Sequence, residues 1–226
     1  MQYTERQRRD AYNYLHAPTQ ESIWGGTTQP IVDLVNRSFQ PEDVLFELSC
    51  GDFRLAPVLL HIPGTTVIGT DIIYEALNRR KRANLGSFQD RLLPFLSDVT
   101  QPWPIANESI DGILCLNFLH TQDPQTLAHT VFREAMRVLR PGKKFVGNFM
   151  VEAVRTHAVT KEILPPGDYV DHEYGEDEAV SFFTYCFAGH ALQLDIIRGL
   201  NLEARDTNPP YKLIAKSMVF EVQRLR

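Results

Sequence analysis

Asp43-Val44-Leu45-Phe46-Glu47-Leu48-Ser49-Cys50-Gly51-Asp52-Phe53-Arg54-Leu55 is the stretch on which the reading of the fold turns. Val44, Leu45, Phe46 and Leu48 form a short apolar run bounded by Pro41-Glu42-Asp43 before and Gly51-Asp52 after, the pattern of a strand buried on both faces of a parallel sheet. Leu55, Val58, Leu59 and Ile62 then fall on one helical stripe, with Pro57 early enough to sit in a first turn. The unit is strand, glycine-containing turn, helix. In an open α/β sheet such a turn lies at the carboxyl edge of the strands, where ligands bind, and the helix start offers free N–H groups. Asp71 ends the next apolar run, Val67-Ile68-Gly69-Thr70-Asp71, twenty residues after Gly51. A carboxylate at that point accepts two hydrogen bonds from a diol such as a nucleoside ribose.

Working outward, the alternation of strand and helix continues. A helix is expected over 73–86, a third strand over Leu92–Leu96 ending at Ser97-Asp98, and a fourth strand with its turn over Ile110–His120. Gln125–Leu139 carries Leu127, Val131, Met136 and Leu139 at helical spacing and runs into Arg137-Val138-Leu139-Arg140-Pro141-Gly142. There a proline and a glycine stop the helix and turn the chain into a fifth strand, Lys144–Met150. Ahead of the core, residues 1–40 form an extension with a charged, aromatic segment Tyr3–Leu15 and a helix around Ile31, Val32, Leu34 and Val35 with Pro30 at its start. Between them, Trp24-Gly25-Gly26 either lays a flat ring over a ligand or anchors the extension to the core. Residues 151–188 are less regular. Asp171–Glu178 reads as a solvated acidic loop rather than a metal site, since neighbouring residues on one run seldom converge. Ser181–Phe187 carries four aromatic side chains that line a pocket or fill a core. The tail is expected to give a helix, Ala191–Leu200, and strands at Leu202–Asp206 and Met218–Val222.

These segments together resemble the class I S-adenosylmethionine-dependent methyltransferases. Glu47-Leu48-Ser49-Cys50-Gly51-Asp52-Phe53 stands where that family has an acid followed by three alternate glycines, and only the middle glycine is present. Ile110-Asp111-Gly112-Ile113 with Leu119-His120, and Arg137–Gly142, are similar to the family's fourth-strand and helix-ending patterns. The resemblance implies an α/β fold with a doubly wound, mostly parallel, seven-stranded Rossmann-like sheet, helices on both faces and a C-terminal antiparallel hairpin. It implies one domain over 1–226: an N-terminal helical extension or lid (1–40), a cofactor-binding core (41–150), a substrate-side insertion (151–190), and a C-terminal helix and strand hairpin (191–226). The cofactor is then S-adenosylmethionine, with S-adenosylhomocysteine as product. Glu47, Ser49, Gly51, Asp71, Ile72, Asp98, Val99 and Asn117 are the residues implied to hold it, with Trp24 covering it. His120 is implied as a base or orienting group, and Tyr12, Tyr14, Phe182 and Tyr185 as acceptor contacts. Phe53, where the family has its last glycine, puts a bulky ring beside the expected methionine end of the cofactor, so the turn is either rearranged with binding kept or has lost binding.

The expected reaction is in-line displacement of the methyl group onto a nitrogen or oxygen of a small-molecule acceptor, which demands no metal and no covalent nucleophile. A formal charge of −5 leaves no global footprint for nucleic acid or an anionic membrane. The basic clusters Arg6, Arg8, Arg9 and Arg79–Arg82 read first as solvated helix faces. Three cysteines without metal-site spacing, a polar N-terminus and the lack of any long apolar run point to a soluble cytoplasmic protein. Two rivals stand beside this reading: a nucleic-acid methyltransferase that uses Arg79–Arg82, and a non-catalytic module in which Phe53 fills the cofactor space. Asn208-Pro209-Pro210-Tyr211 matches the motif of amino-directed DNA methyltransferases, but it follows a charged run long after the fourth strand and reads as a hairpin connection.

Overall fold

The computed structural model describes residues 29–53, 55–79, 86–164, 174–204 and 211–225. Its chain order is α1 (Gln29–Ser38), β1 (Val44–Leu48), α2 (Ala56–His61), β2 (Thr66–Asp71), α3 (Tyr74–Arg79), β3 (Leu92–Leu96) and β4 (Ile110–Cys115). A short helix α4 (Pro124–Thr126) continues through a π-helical stretch, Leu127–Val131, into α5 (Phe132–Val138). Then come β5 (Leu139–His157), α6 (Glu176–Cys186), β6 (Ala191–Ala204) and β7 (Tyr211–Gln223).

The strands form one seven-stranded sheet in the order β3-β2-β1-β4-β5-β7-β6. The six pairings divide cleanly: β3–β2, β2–β1, β1–β4 and β4–β5 are parallel, while β7 runs antiparallel to both β5 and β6. Strand order reverses between β1 and β4, which puts a crevice at their carboxyl ends.

Alternate residues of the central strands feed two cores, one on each face. Leu45, Val67, Leu114 and Val146 pack under α1 and α2 with Leu34, Val35, Ala56 and Leu59. Phe46, Leu48, Ile113, Phe145 and Phe149 pack under α5 and α6 with Phe132, Val138, Phe183 and Phe187. Near-continuous apolar strands are the sequence consequence of this double burial. Gly112 is required by packing: a Cβ there would lie 2.5 Å from the Phe39 ring, which closes the end of α1 onto β4.

The amino edge is tied by charge. Arg140 reaches both carboxylate oxygens of Asp111 at 2.7 and 2.8 Å, Lys143 sits 2.6 Å from Asp43, and the Val44 amide donates to Asp111 at 3.1 Å. Burial pushes Asp111 up, but the Val44 amide, Arg140 and Lys143 outweigh it and leave the carboxyl below the usual carboxylate range. The two most family-like sequence patterns, around Asp111 and Arg140, thus meet at the edge away from the crevice and hold the fold. Arg137 closes the same end differently: it binds Glu134, the carbonyls of Trp103 and Ile105, and Asn107, and so fixes the segment leading into β4.

The tail corrects the sequence reading. Ala191–Leu200, expected as a helix, is the first part of β6. Leu192, Leu194 and Ile196 alternate with Gln193 and Asp195 as well as they fit a helical stripe, and the pairing available along β7 decides for the strand. The fifth strand is also far longer than Lys144–Met150, because β7 pairs with it out to His157. Glu176, Asp177 and Glu178, expected in a loop, form the first turn of α6, where negative charge favours a helix N-terminus. No cluster of possible metal ligands occurs among the described residues. None of the described helices is long and apolar enough to cross a membrane.

Candidate active site

Strand register gathers the expected site residues. Phe95 pairs with Thr70, Thr70 with Leu48, Leu48 with Cys115, and Cys115 with Gly147. Ser49, Asp71, Asp98, Asn117 and Asn148 lie one to three residues past that line, all at the carboxyl edge.

The turn after β1 keeps an unusual backbone. Ser49, Gly51 and Phe53 have φ of 49°, 55° and 63°, so all three alternate positions are left-handed. These are the positions at which glycine is the unstrained residue, and two of them carry side chains at a cost of about 1–2 kcal/mol each. The turn is held from below, since Cys50 N–H donates to the Thr70 carbonyl at 2.9 Å and Phe53 N–H to the Cys50 carbonyl at 3.0 Å. Gly51 N–H donates to Asp71 Oδ2 at 3.0 Å, and Ile73 N–H donates to Asp71 Oδ1 at 2.9 Å. Asp71 is 5% exposed. Burial raises its pKa, against the opposing hydrogen bonds from Ile73, Gly51 and Ile72. A carboxylate offers about four acceptor sites, so Asp71 retains acceptor capacity beyond its three backbone partners.

Phe53 does not occupy the crevice. Its ring is 3% exposed and belongs to the core under α1 and α2. There it lies on Gly69 of β2, where a Cβ would stand 2.0 Å from Phe53 Cε1. The left-handed backbone turns the side chain inward, and the glycine in β2 makes room for it. The turn is therefore not rearranged, and the ring lies in the core rather than in the crevice.

Asp98 binds its own turn, with Oδ1 accepting from Thr100 N–H at 2.9 Å and Thr100 Oγ1 at 2.6 Å. Val99 is buried and its carbonyl accepts from Trp103 Nε1 at 2.9 Å. Glu47 is buried inside β1, and its charge adds to burial in pushing up the thiols of Cys50 and Cys115. Ile72 is partly buried in the turn between β2 and α3. Asn117, at φ 56°, follows β4.

His120 sits in a single turn, Leu119–Thr121, at 1% exposure. Desolvation pushes its pKa down to about 3, so it is neutral near pH 7 and a poor proton acceptor there. Phe182 leans on Phe132 and Tyr174 within the aromatic cluster, while Tyr185 is 79% exposed on α6. Trp24, Tyr12 and Tyr14 lie outside the described residues, as do Arg6, Arg8, Arg9, Arg80–Arg82 and Asn208–Pro210. Asn148 and Ser217 went unnoticed in the sequence. The signal was a lone asparagine inside the otherwise apolar run Phe145–Val151.

Residues 46–147, somewhat under half of the chain, match a family model described as a methyltransferase domain. S-adenosylmethionine is the cofactor that this likeness implies, and the inward Phe53 ring, the left-handed turn and the spare acceptor capacity of Asp71 fit it. Solved structures agree in fold across nearly the whole length. A SAM-dependent methyltransferase from Methanosarcina mazei is 17% identical with a TM-score of 0.62, over 89% of this chain and 100% of that one. A protein solved in work on the conversion of a disulfide bond into a thioacetal group during echinomycin biosynthesis is 16% identical with a TM-score of 0.67, over 99% and 93%. A cyclase, SpnF, is 11% identical with a TM-score of 0.63, over 99% and 98%. No curated protein matches this chain in sequence.

Proposed function

We propose that this protein is a methyltransferase that acts on a small molecule, in the cytoplasm, by moving a methyl group to a nitrogen or oxygen of the acceptor. The observation that carries the cofactor half is the coupling of the left-handed turn to Asp71 through the Gly51 amide at the carboxyl edge. Asp71 would hold the ribose hydroxyls, Asp98 and Val99 the adenine, and Ser49 and Gly51, backed by Glu47, the methionine end. Ile72 would pack beside the ribose, and Asn117 would close the site on the β4 side, with Trp24 over it. When bound, S-adenosylmethionine supplies a methyl carbon made electrophilic by its sulfonium. The protein's own part is to align the acceptor with the methyl–sulfur bond and keep water out. His120, neutral and buried, serves better to shape and orient the acceptor side than to take its proton. Phe182 and Tyr185 on α6, with Tyr12 and Tyr14, remain the acceptor contacts to be tested.

The small-molecule assignment is supported by the acidic balance of the chain, a formal charge of −5. Fold does not select the acceptor. One matched chain is a cyclase, and another was solved in complex with the Trm112 methyltransferase activator of Haloferax volcanii. Calorimetric titration with S-adenosylmethionine and S-adenosylhomocysteine tests the site. Micromolar binding that Asp71→Ala weakens by about 1–3 kcal/mol, the worth of a charged hydrogen-bond acceptor, is expected. Absence of binding by the native protein, or equal binding by Asp71→Ala, refutes the assignment. Steep salt-dependent binding of nucleic acid would instead favour a nucleic-acid acceptor.

A further inference from the structure

Beside the Gly51 turn, on the β4–β5 side of the crevice, two asparagines clasp each other. Asn117 N–H donates to Asn148 Oδ1 at 2.7 Å, and Asn148 Nδ2 donates to Asn117 Oδ1 at 2.8 Å. The second proton of Asn148 Nδ2 is directed to Ser217 Oγ at 3.4 Å. This arrangement fixes both side-chain amides without ambiguity. A backbone N–H can only donate, so the atom of Asn148 facing it must be the oxygen; Asn148 then presents its nitrogen to Asn117, whose facing atom must also be oxygen.

One group is left over. Asn148 is 5% exposed and satisfied on both ends. Among the described residues nothing accepts a hydrogen bond from Asn117 Nδ2, and Asn117 is partly exposed. Because the amide is planar and its oxygen is pinned, the NH2 group diverges from Asn148 on a partly exposed residue at the carboxyl edge. The left-handed φ of 56° at Asn117 is one that asparagine tolerates better than most residues, and the clasp locks it. The result is a donor-only group of fixed direction in a region where strand order places the far side of the Gly51 turn from Asp71 and Asp98.

We propose that the Asn117 side-chain amide, held by Asn148, orients the methyl acceptor, and that the acceptor presents a carboxylate or carbonyl oxygen close to the atom methylated. This rests on the methyltransfer reading: if Asp71 and Asp98 hold the nucleoside beyond β2 and β3, the methyl end would lie on the β1–β4 side, toward Asn117. Asn117 contacts the acceptor; Asn148 is a positioning residue that acts through it. A purely donating ammonium group finds no acceptor in this amide and is refused.

The test uses the full-length, isotope-labelled protein saturated with S-adenosylhomocysteine, with acetate, acetamide and methylammonium as probes and nuclear magnetic resonance as readout. The Asn117 NH2 signals are assigned by their loss in Asn117→Gly, a variant that keeps the left-handed backbone. Acetate and acetamide should shift that pair saturably and methylammonium should not; the tighter of the two oxygen probes identifies the carboxylate or the carbonyl. Asn117→Asp, still saturated with S-adenosylhomocysteine, should weaken acetate at least tenfold. Asn148→Ala should weaken acetate severalfold and speed exchange of the Asn117 backbone proton at least tenfold, with the Cys115 proton unaffected, which a general loss of stability would not do. If acetate leaves the Asn117 signals in place, or Asn117→Asp binds it as the native protein does, the inference is wrong. If S-adenosylhomocysteine itself does not bind, the methyltransfer reading fails and this one goes with it.

Discussion

Replacing Phe53 separates two accounts of this chain that the sequence leaves open, a ring that plugs the cofactor space and a ring that belongs to the core. The ring is 3% exposed against Gly69 and the residues under α1 and α2. Phe53→Ala removes it from a packed core and is expected to cost about 3–5 kcal/mol. Phe53→Gly removes the same ring but also relieves a left-handed backbone, worth about 1–2 kcal/mol, of which roughly 0.5–1 kcal/mol is given back to the freer unfolded chain. The glycine variant should therefore be the more stable of the two by up to about 1 kcal/mol, and both should lie well below the native protein. Urea unfolding measures this through the midpoint, provided the slope is unchanged. Calorimetry with S-adenosylhomocysteine on the same samples should show no gain in affinity for either variant. A Phe53→Gly protein as stable as the native one, or one that binds the ligand more than about tenfold tighter, a difference of 1.4 kcal/mol, would refute the reasoning and put the ring in the crevice.

Other outcomes follow from the same geometry. Ser49→Gly should raise stability by roughly 0.5–1 kcal/mol in urea unfolding, since its φ of 49° is strained for serine; a loss would mean that the Ser49 hydroxyl holds the turn. Gly69→Ala should cost about 1–3 kcal/mol by driving a Cβ into the Phe53 ring, and combining it with Phe53→Leu should be less costly than the two changes summed. Asp111 has a folded pKa below its unfolded value, so its contribution is present above the unfolded pKa of about 3.9 and is lost as pH falls through the folded one. Asp111→Asn should thus cost about 1–3 kcal/mol at pH 7 and a shrinking amount below pH ~4, whereas a difference that stays constant with pH would show that charge is not what Asp111 contributes.

The sequence by itself determined what depends on neighbours along the chain. An apolar run cut by Gly51-Asp52, a stripe from Leu55 to Ile62, and a second run ending at Asp71 specify strand, turn, helix and strand, and Leu92–Leu96 forms β3 with the bounds its pattern gives. Repetition of that unit already entails a parallel sheet with its site at the carboxyl edge. Three features were decided only in three dimensions. Ala191–Leu200 fits both periods, and the edge offered by β7 chose the strand. Asn148 is a polar residue in an apolar strand until β4 and β5 pair and bring it to Asn117, 31 positions away in the chain. Phe53 reads as an obstacle at a glycine position, and becomes a core residue because its left-handed φ and the empty face of Gly69 turn the ring inward. Local pattern records which side chains prefer to be buried. Which neighbours bury them, and in which direction a side chain leaves the backbone, depends on contacts between segments far apart in the chain, and those exist only once the sheet has closed.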